Sequence, residues 1–140
     1  MSVYIVDASV VAKWFIEEQY AEAALAVLNE ANRLHAPDFL LLEMDSIFCK
    51  WLRRAIVTPE ECAELREALR QYPIQRHPFL PLLDSAYAIA NLTQQSIYDS
   101  LYVVLAALID GKMVTADRKL YDGLKNGPFA KNVVWVEDVK

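Results

Sequence analysis

The 140-residue chain holds only three glycines, two cysteines and two histidines, and each scarcity removes a class of chemistry. Three glycines cannot supply the glycine-rich turn in which a backbone cradles phosphates, so nucleotide-binding loops of that kind are excluded. Cys49 and Cys62 lie within predicted helices and lack CxxC or Cys/His spacing. They read as reduced packing thiols rather than a disulfide or a zinc pair. His35 and His77 have no nucleophile motif beside them, and His77 precedes a proline, which argues against a Ser-His-Asp hydrolase. The longest apolar run, Leu101 to Ile109, is too short to span a bilayer. Asp7 also breaks the basic-then-apolar order of a signal peptide. The expectation is a cytoplasmic protein without membrane contact.

What is present suits one globular unit over residues 1–140, because 55% hydrophobic content lets a chain of this length bury most of its apolar surface. Charge is less simple. Nineteen acidic side chains against 14 basic ones give a net −5, a poor balance for binding phosphates. Four of the acids, Asp7, Glu43, Asp99 and Asp117, each interrupt an apolar stretch, and removing those four from the 19 leaves 15 against 14. An ionised carboxylate withdrawn from water costs several kcal/mol or more unless paired or bound to a cation. Four that converge would make a divalent-metal site, whose cations would cancel nearly all of the excess.

Periodicity places the acids. Val3 to Val6 is a short, β-branched run of the kind found in a buried central strand, and it ends at Asp7. Helical spacing runs from about Ser9 to Arg33, with a break near Glu18, and Leu34 to Pro37 is a second strand. Helices are expected at Leu40 to Arg54, at Pro59 to about Tyr72, where Thr58-Pro59-Glu60-Glu61 is a full start signal, at Leu82 to Leu92 and at Ser96 to Asp110. Apolar residues wrap most of the Ser96 helix, which should be central. Ile74 to His77, Lys112 to Thr115 and Asn132 to Val136 complete the strands, with a short helix from Arg118 to Lys125. Strands alternating with helices predict an α/β fold with a mostly parallel sheet covered on both faces. Functional groups then collect beyond the carboxyl ends of the strands.

Each acid also has an ordinary explanation. Asp7 or Asp117 would cap the helix that follows it, and Ser9 could cap the first instead. Ser96-x-x-Asp99 outlines a capping box. Glu43 is harder to dismiss, because Met44, Ile47, Phe48 and Trp51 claim much of its helix while Glu43, Ser46 and Lys50 share a polar stripe able to line a cleft. Asp45 reads as a surface residue.

Together the motifs resemble the PIN domain, and in particular the VapC-like ribonuclease toxins of prokaryotic toxin–antitoxin pairs. Val6-Asp7-Ala8-Ser9, Glu43 behind a leucine run, Tyr98-Asp99-Ser100-Leu101-Tyr102 and Thr115-Ala116-Asp117 match that family's signatures in order and across essentially the whole chain. Ser46 departs from the pattern, standing where family members often carry the longer asparagine. The resemblance implies a three-layer α/β/α sandwich, an endoribonuclease dependent on Mg²⁺ or Mn²⁺, a homodimer, and a cognate VapB-like antitoxin. It also implies catalytic roles for Asp7, Glu43, Asp99 and Asp117. Because Mg²⁺ keeps several waters, unequal roles are expected: Asp7 and Asp99 as direct ligands, Glu43 and Asp117 acting through water or a second metal. Ser9 and Thr115 would orient those ligands.

Lys13, Lys50 and Arg118 are candidates for holding RNA phosphates, against the plain reading of solvated helix ends. A catalytically silent protein of the same fold remains an alternative. A metal-dependent phosphatase is weaker, since its further acids or catalytic lysine are not found.

Overall fold

A computed structural model describes residues 2–139. Five strands, β1 (Ser2–Val6), β2 (Asn32–Pro37), β3 (Ile74–His77), β4 (Lys112–Thr115) and β5 (Val133–Trp135), form one sheet in the order β3-β2-β1-β4-β5. Every pairing is parallel. Tyr4, Ile5 and Val6 are all buried although successive side chains point to opposite faces, so both faces of β1 are covered. This is the three-layer α/β/α arrangement the sequence predicts.

The helices are α1 (Ala8–Val11), α2 (Ala21–Ala26), α3 (Phe39–Arg53), α4 (Pro59–Gln71), α5 (Leu83–Thr93), α6 (Ile97–Leu108) and α7 (Arg118–Leu124). Helix α6 lies over β1, β2 and β4 and is backed by α5. Seven consecutive residues from Ser100 to Ala106 are buried, so α6 is central all round. Helix α3 buries Leu40, Met44, Phe48 and Trp51, a stripe at helical spacing that leaves Glu43 on the border of the core. The Thr58 signal is realised in full: the Glu61 N–H donates to the Thr58 hydroxyl oxygen at 3.1 Å, and the Thr58 N–H donates to the Glu61 carboxylate at 2.9 Å.

One expected helix is divided. The break falls near Glu18 as expected, since α1 tightens into a 3-10 turn over Ala12–Trp14 and α2 begins at Ala21, but helix expected to Arg33 ends at Ala26 and β2 begins at Asn32. Tyr20 between α1 and α2 takes a left-handed φ of 68°. A long-range bond rewards the bend, because the Trp14 indole N–H donates to the Ala24 carbonyl at 2.8 Å while the ring is buried. Helical spacing alone contains no sign of that bond.

Glycine scarcity shows at the helix ends. Helix α3 closes with the Ala55 N–H donating to the Leu52 carbonyl and the Ile56 N–H to the Trp51 carbonyl, and Ala55 has φ 53° where glycine is usual. Gln94 after α5 and Asp110 after α6 hold similar left-handed positions. Replacing Ala55 by glycine removes the Cβ clash and should raise unfolding stability by about 0.5–1 kcal/mol. Urea denaturation of A55G beside wild type measures it, and a lowered midpoint would contradict the strained cap.

Candidate active site

The chain leaves β1 for β2 on one side and reaches β4 on the other, so the order of strands reverses between β1 and β4. Connections depart in opposite directions there and open a crevice at the carboxyl ends. Val6 is paired with Val114, which brings Asp7 and the Thr115-Ala116-Asp117 segment to the same edge.

Hydrogen bonds tie the two strand ends together. The Ser9 hydroxyl donates to Asp7 Oδ1 at 2.6 Å and accepts the Ala116 N–H at 3.0 Å, crossing from the β1 turn to the β4 turn. Thr115 Oγ1 lies 3.4 Å from Ser9 Oγ and accepts the Asp117 N–H at 3.1 Å. Asp7 and Asp117 are also helix caps, accepting the Val10 and Leu120 N–H groups respectively, each at 3.1 Å. Capping and site formation are therefore compatible: one carboxylate oxygen anchors the helix, and the cap fixes the direction of the group.

Glu43 arrives from α3 and Asp99 from α6. The Tyr102 hydroxyl, one turn beyond Asp99 on α6, donates to Glu43 Oε1 at 2.5 Å and joins the two helices. Tyr102 belongs to the Tyr98-Asp99-Ser100-Leu101-Tyr102 motif, which by itself assigns it no role. Its spacing of three residues from Asp99 was the available signal. Ser96 caps α6 by accepting the Asp99 N–H at 3.0 Å.

Electrostatics show that the acids share one field. Burial pushes Asp7 up to about 7, opposed by its bonds to Ser9, Thr115 and Val10 and reinforced by the negative charge of Asp99. Glu43 is raised by burial and then by Asp99, while the Tyr102 hydroxyl pulls it back. Asp99 is raised by burial, lowered by Ser96 and raised again by Asp117. Asp99 thus interacts with each of the other three. Burial, followed by the Glu43 charge, holds the Tyr102 hydroxyl well above its ordinary range, so it remains a donor.

The donor set is hard carboxylate oxygen, suited to Mg²⁺ or Mn²⁺. Among the described residues no group of three acids, histidines or cysteines forms a ready-made cage. A cation there would favour the ionised carboxylates, which burial first and mutual repulsion second now disfavour.

The basic candidates are less concentrated. Lys13 Nζ is paired with Glu18 at 3.0 Å, with 13% of its side chain exposed. Lys50 is exposed near the end of α3. Arg118 follows Asp117, its guanidinium carbon 3.8 Å above the centre of the Trp135 ring and its Nη1 3.9 Å from Asp122. Ser46 and Glu43 line one cleft with Phe39, Leu42 and Tyr98. Asp45, half-buried, makes a paired bond to Arg66 at 2.7 and 2.9 Å and stays outside the site.

Comparison with known proteins agrees with this geometry. The PIN domain profile matches residues 4–123. Ribonuclease VapC3 of Pyrobaculum aerophilum is 31% identical over 118 residues, covering 83% of this chain and 90% of that protein. Ribonuclease VapC9 of Mycobacterium tuberculosis is 29% identical over 119 residues, covering 84% and 88%. In fold, the crystal structure of PAE2754 from Pyrobaculum aerophilum superposes with a TM-score of 0.64 at 20% identity, over 97% of this chain and 85% of that one. FitAB bound to an IR36 DNA fragment gives 0.66 at 14% identity, over 98% and 97%.

A buried carboxyl whose folded value is about 7 against an ordinary 3.8 binds its proton more tightly in the native state. Its contribution to stability is present below the ordinary value and is lost as pH rises through about 7. In chelator, Asp7→Asn should therefore be more stable than wild type at pH 8, by up to about 4 kcal/mol, and the difference should shrink toward pH 4. Urea melts across that range test it; equal stability at pH 8 would contradict a strained Asp7.

Proposed function

The chain belongs to the PIN domain family, and on that premise we propose that it is an endoribonuclease, the toxin of a toxin–antitoxin pair, that hydrolyses RNA phosphodiester bonds with Mg²⁺ or Mn²⁺. The observation that carries this reading is the electrostatic linkage of Asp7, Glu43 and Asp117 through Asp99 at the point where the strand order reverses. The VapC ribonucleases at about 30% identity support the activity and the toxin role.

When bound, the divalent ion supplies a nucleophilic hydroxide at neutral pH and neutralises charge on the phosphate. Asp7 and Asp99 hold it directly. Glu43 and Asp117 act on its water shell or on a second ion, and inequality among the four follows from their surroundings. Asp7 is buried and held by Ser9 as well as by its helix cap, whereas Asp117 is exposed and held by its cap to Leu120. Ser9 and Thr115 orient the ligands, and Tyr102 fixes one oxygen of Glu43 so that the other faces its task. Arg118, steadied on Trp135, and Lys50 contact RNA phosphates beside the acids; Lys13 joins them on leaving Glu18. A cognate VapB-like antitoxin holds the enzyme in check, and two copies form a homodimer. The described residues contain no helix long and apolar enough to cross a membrane.

Purified protein should cleave single-stranded RNA in Mg²⁺ or Mn²⁺, lose activity in EDTA, and lose at least about 100-fold in the Asp7→Asn or Asp99→Asn variant, equivalent to several kcal/mol of charge stabilisation. Full activity in chelator would sink the mechanism. Mn²⁺ should raise the melting temperature of wild type more than that of Asp99→Asn.

Cleavage should increase as pH rises toward 8, because carboxyls raised by burial must ionise to hold the ion. Tyr102→Phe removes the bond that keeps Glu43 low and should move the acid limb of the pH–rate profile upward. An unmoved limb would show that Glu43 does not titrate in the reaction.

A further inference from the structure

Beside Glu43 lies an open cleft of about 370 Å³, lined by Phe39, Leu42, Glu43, Ser46 and Tyr98. Its aromatic wall is braced: the Tyr98 and Phe39 rings lie parallel, 7° between planes and 5.4 Å between centres, and Phe79 meets Phe39 edge-on at 5.8 Å. Tyr98 nevertheless remains 56% exposed and Leu42 64% exposed. A ring held flat by a second ring and still open to solvent is a stacking platform with its conformational freedom already removed.

We infer that the Tyr98–Phe39 stack receives one unpaired base of the RNA beside the phosphate held at the acids. The inference rests on the nuclease reading and specifies how that site takes its substrate. Continuity with the acids supports it, since Glu43 lines the cleft and Asp99 follows Tyr98 in the chain. A strand whose phosphate meets the carboxylates therefore presents a neighbouring base to the cleft. Every base has an apolar face for Tyr98 and Leu42, and its polar edge finds the Ser46 hydroxyl. Unpaired RNA is favoured over duplex, whose bases are already stacked.

The experiment uses the full chain carrying Asp7→Asn, which is slow to cleave, and a fluorescein-labelled single-stranded RNA of randomised sequence in Mg²⁺. Adding Tyr98→Ala should raise Kd about 5- to 150-fold, the usual effect of losing one base stack. Tyr98→Phe and Tyr98→Trp, which keep a flat ring, should stay within about twofold of the parent. Raising the salt should weaken all variants while preserving the ratio between tyrosine and alanine, because stacking releases no counterions. If Tyr98→Ala binds like its parent while wild type still cleaves RNA, the stacking inference falls and the nuclease reading stands. A change from dimer to monomer in Tyr98→Ala by sedimentation would assign the face to a second copy and also overturn the inference. If the parent binds no RNA and wild type cleaves none, both readings fall together.

Discussion

The Ser9 hydroxyl joins the carboxyl ends of β1 and β4, and the geometry of the site depends on that bridge. It donates to the Asp7 carboxylate and accepts the Ala116 N–H, so the two turns that carry Asp7 and Asp117 are held in one register. The pairing of Val6 with Val114 brings the strand ends together, but backbone pairing alone leaves the turns beyond them unspecified. A hydroxyl is suited to the task because it donates and accepts at once. It lets a buried carboxylate persist beside a backbone amide that would otherwise need its own partner.

Burial gives the same carboxylate opposing effects on folding and binding. Removing Asp7 from water raises the free energy of its ionised form and weakens the native state at neutral pH. A cation bound there would recover that loss, which would couple metal affinity to the strain built into the strand end. Glu43 and Asp99 are raised in the same direction, and Tyr102 moderates Glu43 by hydrogen bonding its charged form. Three acids raised by burial to different degrees, rather than four identical ones, would suit an ion that exchanges only part of its water shell for protein oxygen.

Much of this fold was legible because its signals are local. The strands at Ile74–His77 and Lys112–Thr115 fall within the segments expected from the sequence, and α4 starts where the Thr58 capping box places it. The division between α1 and α2 was visible only as a weakness near Glu18, because it is completed by the Trp14 bond to Ala24 ten residues away. Among site residues, the four acids announced themselves by interrupting apolar runs. Tyr102 did not, since a tyrosine within an apolar helix reads as core until Glu43, 59 positions away in sequence, is seen to accept its hydroxyl. Lys13 illustrates the converse: helical spacing put it near Asp7, and the bend carried it to Glu18.

While Cys49, read as a packing thiol, is exposed, by itself the sequence determined which segments form most of the strands and helices and which four carboxylates interrupt them. Those properties follow from side-chain period, capping chemistry and composition, all of which act within a few residues. The tertiary structure alone decided that β1 and β4 are neighbours, that Ser9 spans their ends, and that Asp99 raises Asp7 and Glu43 and is itself raised by Asp117. It also decided that Tyr98 is braced by Phe39 yet exposed beside Glu43. Mutual electrostatics and ring stacking depend on separations in space between residues tens of positions apart, and that is information a linear pattern does not carry.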